Sequence, residues 1–261
     1  MSMHLINGMA IEDAGAGQVV VCVHGLGGTS NTWSSLIPAF QGFRLIRIDL
    51  PGCGRSVSET SGINIAELQN SLISVCKTLS IESAQWVGHS MGTIVCQHLA
   101  QNMPSLVKSL LLFGPLTEPA ESAREPLRMR AEKVRTGGLT GMQETADALL
   151  QTAVAQHTKD HNPAAFAFVR ESLMRQSPKS YADYCMALSQ ARSANIEFIQ
   201  APTLLVTGDE DRVATVEAVD QMCRRMPNAK RVVFNRCGHW TPIEKPHECM
   251  RVARDFLKRH A

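Results

Sequence analysis

Five consecutive residues, Gly88-His89-Ser90-Met91-Gly92, spell Gly-x-Ser-x-Gly once in the chain. The apolar stretch Gln85-Trp86-Val87 before them can end a buried strand, and Thr93–Gln101 after them can form a helix. Between a strand and a helix such a motif makes a nucleophile elbow. A serine at the tip of so sharp a turn carries strained backbone angles, and its neighbours two residues away must lack bulk. The turn would lift the Ser90 hydroxyl clear of a sheet. It would also aim free N–H groups and the positive end of a helix at the reacting atom.

A serine hydroxyl becomes a nucleophile when a base takes its proton, and the base needs a carboxylate to fix its tautomer. Both are present further along. Gly208-Asp209-Glu210-Asp211 follows the apolar run Thr203–Thr207, and Cys237-Gly238-His239-Trp240 follows Arg231–Phe234. His24-Gly25-Leu26-Gly27-Gly28 follows Val19–Val23. Ligands of open α/β sheets gather at the carboxyl ends of strands, where all these segments fall in the order serine, acid, histidine. His239 is the candidate base, and Asp209, Glu210 and Asp211 compete for the acid. A tetrahedral intermediate carries an oxyanion that needs preformed donors. The backbone N–H groups of Met91 and Leu26 are the candidates.

The elements that must carry these segments are legible in part. His4-Leu5-Ile6, Asn7-Gly8 and Met9-Ala10-Ile11 read as an edge hairpin within residues 1–12. Val19–Val23, a continuous β-branched run, reads as a strand buried on both faces. A helix is expected over Thr32–Ala39, a strand at Arg44–Ile48, and a helix over 64–79 capped by Asn64 with Glu67 three residues on. Another buried strand is expected at Val107–Phe113. This alternation predicts an α/β fold, a mostly parallel sheet wrapped by helices. It stops over residues 117–195, which read as helices broken at Gly137-Gly138, Asn162-Pro163 and Ser177-Pro178. The sheet resumes at Thr203–Thr207, followed by a helix over 215–226, a strand at Arg231–Phe234 and a terminal helix opened by Pro246. The expected organisation is a core of residues 1–116 and 196–261 with an inserted helical cap, 117–195.

Composition narrows the function. With 261 residues, 44% of them apolar, and a formal charge of +2, no electrostatic case exists for nucleic acid or an anionic membrane. No Lys or Arg precedes Arg44, so neither a secretory n-region nor an Arg-rich transit peptide is expected. No run approaches the roughly 18 apolar residues of a membrane span. A soluble cytoplasmic protein is expected, monomer or homodimer. The eight cysteines show no Cys-x-x-Cys and read as buried thiols, and the nine histidines show no zinc-site spacing. No metal and no cofactor are expected. The cap segment holds Arg124, Arg128, Arg130, Arg135, Arg170, Arg175 and Arg192, any of which could hold a substrate carboxylate. Ten Lys and Arg against eight Asp and Glu over 119–195 make an ordinary solvated balance the better account of any single one.

His24-Gly25 with its following glycines, Asp49-Leu50-Pro51-Gly52-Cys53-Gly54-Arg55-Ser56, Gly88–Gly92, Gly208-x-x-Asp211 and Gly238-His239 together resemble the α/β-hydrolase fold superfamily over essentially the whole length. The resemblance selects Asp211 as the acid and makes Asp209 a turn residue and His24 a loop histidine. It implies a serine hydrolase with the triad Ser90, Asp211 and His239, an oxyanion hole from Leu26 and Met91, and a substrate pocket to which Gly25, Gly27, Trp240 and Met129 are assigned. Two branches are nearest. His24-Gly25-Leu26-Gly27 and Ser180–Leu188 resemble the 3-oxoadipate enol-lactonase and carboxylesterase group. Cys237-Gly238-His239-Trp240 and the terminal helix resemble the group that cleaves carbon–carbon bonds of ring meta-cleavage products. That second group usually has Asn before the nucleophile, where this chain has His89, and a proline in the glycine loop that is absent here. The expectation is therefore hydrolysis of a small carboxylic ester or enol-lactone through an acyl-enzyme. Carbon–carbon hydrolysis and a catalytically inactive ligand-binding member are the alternatives. Epoxide hydrolases and haloalkane dehalogenases of this fold use an Asp nucleophile, which Ser90 argues against, whereas haloperoxidase-like members share the triad.

Overall fold

A computed structural model describes residues 2–57 and 62–261. Strands β1 (Ser2–Ile6) and β2 (Met9–Ala14) form the expected hairpin, with Asn7 and Gly8 at φ 48° and 76°. Met1 lies outside the described residues. Six further strands follow: β3 (Val19–Val23), β4 (Arg44–Ile48), β5 (Ala84–His89), β6 (Val107–Phe113), β7 (Thr203–Gly208) and β8 (Ala229–Phe234). They form one sheet in the order β1-β2-β4-β3-β5-β6-β7-β8. The two pairings made by β2 are antiparallel and the rest are parallel.

The central strands are apolar on both faces because both faces are covered. Successive side chains of a strand point to opposite sides. Trp86, Leu110 and Leu112 accordingly join one core, with Leu72 and Ile94. Val87, Leu111 and Phe113 join the other, with Trp33, Leu36 and Phe256. Helices α1 (Ile65–Thr78) and α2 (Met91–Asn102) cover the first face. Asn64 caps α1 by accepting the Glu67 N–H at 3.0 Å. The helix expected over 32–39 lies on the second face as a 3-10 run, Ser30–Phe40, containing Pro38.

Between β6 and β7 the chain leaves the sheet. It forms α3 (Glu121–Ala153), α4 (Gln156–His161), α5 (Pro163–Met174) and α6 (Pro178–Gln190). Helix α3 is broken at Gly138, whose φ of 54° is left-handed, and its second half folds back on the first. The return is tight: a Cβ at Gly141 would stand 2.6 Å from the Lys133 carbonyl oxygen. Ala131, Val134, Met142, Leu150, Leu173 and Tyr181 make a third core here, joined by Trp240 from the sheet side. Helices α7 (Val216–Arg225), α8 (Thr241–Glu244) and α9 (Pro246–Arg259) complete the fold. Among the described residues no helix is long and apolar enough to cross a membrane.

Candidate active site

Ser90 links β5 directly to α2 and holds φ 51° and ψ −122°, a strained conformation for a non-glycine residue. The surroundings enforce it. The Ser90 N–H donates to the Phe113 carbonyl at 2.9 Å, and the Ser90 carbonyl accepts from Thr93 N–H at 2.8 Å and Thr93 Oγ1 at 2.6 Å. The flanking glycines are needed for space. A Cβ at Gly92 would strike the Val23 and His24 carbonyl oxygens, and one at Gly88 would stand 3.1 Å from the Thr93 Cα.

Three loops at the carboxyl ends of β5, β7 and β8 bring Ser90, Asp211 and His239 together. His239 Nδ1 lies 2.9 Å from Asp211 Oδ2 and 3.1 Å from Oδ1, and Nε2 lies 2.8 Å from Ser90 Oγ. Burial alone would raise the Asp211 carboxyl, but the His239 imidazole and the N–H groups of Ala214 and Val213 hold it below the usual carboxylate value. An ionised Asp211 only accepts, so the imidazole proton sits on Nδ1 and Nε2 accepts the serine hydroxyl. The competing acids are occupied elsewhere. Asp209 accepts the Cys237 N–H at 3.2 Å, and Glu210 accepts the Gln156 N–H at 2.9 Å.

The two backbone donors flank the serine. Met91 is the first residue of α2, so its N–H has no acceptor within the helix. Leu26 sits in the glycine loop, whose turn bond runs from the Gly28 N–H to the Gly25 carbonyl at 3.0 Å. Helix α5 and the turn after it brace that loop: Ser172 Oγ donates to the Gly27 carbonyl at 2.7 Å, and Gln176 Nε2 donates to the Gly27 and Gly28 carbonyls at 3.2 and 3.3 Å. His24 accepts the Leu50 N–H on Nε2 at 3.0 Å and donates from Nδ1 to the Gly25 carbonyl at 2.8 Å.

A cavity of about 270 Å³ opens over Ser90 and His239. Leu26, Leu127, Leu149, Leu173, Tyr181 and Trp240 give it apolar walls, and Arg130 and Arg212 line it as cations. Three assignments need correcting. Met129 is 64% exposed and does not line the cavity. It is two residues from both Leu127 and Ala131, which face inward, and two residues turn a helix through about 200°. Gly25 and Gly27 also do not line it. They make room instead: a Cβ at Gly25 would stand 2.7 Å from the Ser90 Cβ, and one at Gly27, at φ 78°, would strike Leu173.

Arg130 is the cap cation that the sequence reading left undistinguished. Six of the seven cap arginines have a carboxylate within 4.0 Å: Arg124, Arg128, Arg135, Arg170, Arg175 and Arg192. Among the described residues Arg130 has none, and it alone of the seven lines the cavity over Ser90. A signal was present. The positions three and four residues from Arg130 hold Pro126, Leu127, Lys133 and Val134, so its own helix offers no counter-charge.

A nucleophile, acid and base in this order on this sheet define a serine hydrolase geometry. Residues 18–246 match the family model described as alpha/beta hydrolase fold, and the chain belongs to that family. A 2-hydroxy-6-oxononadienedioate/2-hydroxy-6-oxononatrienedioate hydrolase of Burkholderia vietnamiensis is 29% identical, over 95% of this chain and 90% of its own. Among solved structures, an esterase from Thermogutta terrifontis, in malate-bound form, superposes with a TM-score of 0.91 at 23% identity, covering 99% of this chain and 98% of its own. The enol-lactonase of Burkholderia xenovorans superposes with a TM-score of 0.88 at 24% identity, covering 98% of this chain and all of its own. The chain is a hydrolase of this fold.

Proposed function

We propose that the protein hydrolyses a carbon–carbon bond in a small dienoate carrying a carboxylate, using Ser90, His239 and Asp211. The observation that carries the carboxylate is Arg130, the cap arginine in the wall of the cavity that has no carboxylate partner among the described residues. The carbon–carbon bond is supported by the Burkholderia vietnamiensis relative, whose named substrates are dienedioates and trienedioates.

In this reading Ser90 Oγ attacks the ketone carbonyl beside the scissile bond while His239 Nε2 takes its proton. The oxyanion is received by the Leu26 and Met91 N–H groups. Before that attack the enol proton of the 2-hydroxy-dienoate moves to the carbon beside the scissile bond, which turns the 2-hydroxyl into a carbonyl next to the carboxylate. On cleavage the broken bond's electron pair delocalises along the chain onto that carbonyl oxygen, and His239 returns its proton to the dienolate so formed. Water, deprotonated by His239, then releases the acyl group from Ser90. A carbon leaving group is poor unless its charge is spread, so a cation at the acid end stabilises both binding and departure. The cavity is mostly apolar elsewhere, which suits the hydrocarbon chain between the two ends.

The sequence argument for an ester or lactone rested on His89 standing where an asparagine is usual and on the absence of a proline from the glycine loop. His89 points elsewhere. Its Nε2 donates to the His239 carbonyl at 2.9 Å, its Nδ1 lies near Gly25, and it is absent from the cavity wall. A change at a position that does not face the substrate weighs little against the carbon–carbon reaction.

The test is a panel of purified 2-hydroxy-6-oxo-dienoates, enol-lactones and neutral p-nitrophenyl esters. A dienoate is expected to exceed the neutral esters in kcat/KM by at least about tenfold, or ~1.4 kcal/mol of barrier. Arg130→Met should lower the ratio of dienoate to neutral-ester kcat/KM by about 100-fold, the loss of a charge-assisted pair. A neutral ester as best substrate, with that ratio unmoved by Arg130→Met, would overturn the reading. An enol-lactone as best substrate would keep the carboxylate and return the reaction to lactone hydrolysis.

A further inference from the structure

Glu244 takes no part in the chemistry above. It ends α8, five residues after His239, and is only 6% exposed. No lysine or arginine among the described residues pairs with it, so its carboxylate is held by N–H and O–H donors alone. Oε2 accepts from the Ala155 N–H at 2.8 Å, Thr158 Oγ1 at 2.9 Å and the Gly238 N–H at 3.2 Å, and Oε1 accepts from the Trp240 N–H at 3.1 Å. Two of these donors flank His239 and two lie at the start of α4, in the helical roof. The remaining N–H of the tripeptide, that of His239, donates to the Ala153 carbonyl at 2.8 Å, again in the roof. Gly238 must be glycine for this closure, since a Cβ there would stand 2.7 Å from Ala155 N and 2.8 Å from Glu244 Oε1. Burial pushes the Glu244 carboxyl above its ordinary value, and the four donors pull against that push. The donor set is built for the anion, which accepts everywhere and donates nowhere.

We propose that Glu244 is a positioning residue: it sets the His239 imidazole through the backbone of residues 238–240 and locks that setting to the seat of the roof at Ala153–Thr158. The inference rests on His239 being the base and is independent of which bond is cleaved. The base is therefore aligned only when the roof is seated, and a single carboxylate joins the two.

The alternative is that Glu244 only holds the fold together, and the experiment separates the two. Glu244→Gln keeps the shape but turns an NH2 group against the donors. With a neutral p-nitrophenyl ester as probe, kcat should fall about 30-fold with KM within about twofold, in line with the cost of a small misplacement of a catalytic group. The far-downfield proton resonance of His239 Nδ1–H against Asp211 should shift or broaden in the same variant. Thr158→Val removes one donor from the roof side and should act in the same direction, about threefold on kcat, the worth of a modest hydrogen bond. The double variant should fall short of the product of the two, because both act through one carboxylate. A Glu244→Gln protein that melts earlier but keeps kcat and the resonance would overturn the proposal, as would a Thr158→Val effect that multiplies independently. Should Glu244→Gln fail to fold, Thr158→Val read by the resonance and by kcat decides alone. Failure of the carbon–carbon reading leaves this test intact, since neither readout depends on a dienoate.

Discussion

Ser90 and His239 reach the cavity, with Asp211 behind His239, from three loops whose backbones are fixed by hydrogen bonds of 2.6–3.2 Å, while Arg130, Leu127 and Leu149 reach it from a helix that breaks and folds back at Gly138. The floor is thus a construction of backbone geometry, and the roof a construction of side-chain shape and one charge. Reaction barriers respond steeply to displacements of reacting groups, whereas selectivity follows from which contacts a pocket offers. Changes in the floor should therefore lower turnover of every substrate alike, and changes in the roof should re-order the substrates.

Ser90→Ala is the strongest test of that division. It should lower kcat by roughly 10⁴–10⁶-fold for esters and dienoates alike, as loss of a triad nucleophile does. Retention of more than a tenth of either activity would break the comparison at its centre, and a serine-directed phosphonate should label the wild type once. Asp211→Asn should come next, with a loss of about 10⁴-fold in kcat, because an amide stabilises the wrong imidazole tautomer. Asp209→Asn, which disturbs only the bond that accepts the Cys237 N–H, should stay within about tenfold of wild type, roughly the cost of one hydrogen bond. Equal losses would mean that the loop as a whole, and not the Asp211 carboxylate, sets the floor.

The smallest effect sharpens the floor's own construction. His89 is buried, its Nδ1 has no partner among the described residues, and burial first, then the neighbouring His239, hold its pKa down to about 3 against an ordinary 6.5. Above pH 6.5 neither state binds this proton, and the stability it contributes is complete. As pH falls from 6.5 towards 3 the unfolded chain takes up a proton that the folded chain refuses, so stability falls, by at most about 1.4 kcal/mol per pH unit. Urea unfolding at a series of pH values should show this slope, and His89→Asn should reduce it by up to one proton. An unchanged slope would place the acid sensitivity elsewhere, first at His24, which burial shifts in the same direction.

The floor was far more legible in the sequence than the roof, for physical reasons. Buried parallel strands read as continuous apolar runs, and turns that demand glycine announce themselves, so Ser90, Asp211 and His239 could be placed from strand ends alone. The cap of α1 by Asn64 was equally local. Which way a helix of mixed character faces is a tertiary fact. Met129 and Arg130, adjacent in sequence, are turned about 100° apart on α3, so one points to solvent and one to the cavity. Glu244 was missed because nothing local sets it apart. Its one visible mark is a lone acid between the apolar Pro242-Ile243 and a proline-opened helix.

The parallel pairing of β6 with β7 joins Phe113 to Val206 and Leu110 to Thr203, although residues 114–202 intervene. In folding terms the middle of the sheet is closed by a long excursion, and such non-local pairing is slow to form. Thermodynamically the excursion is cheap to resize, since closure entropy rises only by about 0.6 kcal/mol for each doubling of a flexible loop. The roof is then an exchangeable module. A longer or shorter helical segment grafted between Gly114 and Pro202 would leave the sheet closed. Such a graft would leave the floor working only if it carried the attachments at Ala153–Thr158 and at Ser172 and Gln176, which grip the two loops from above.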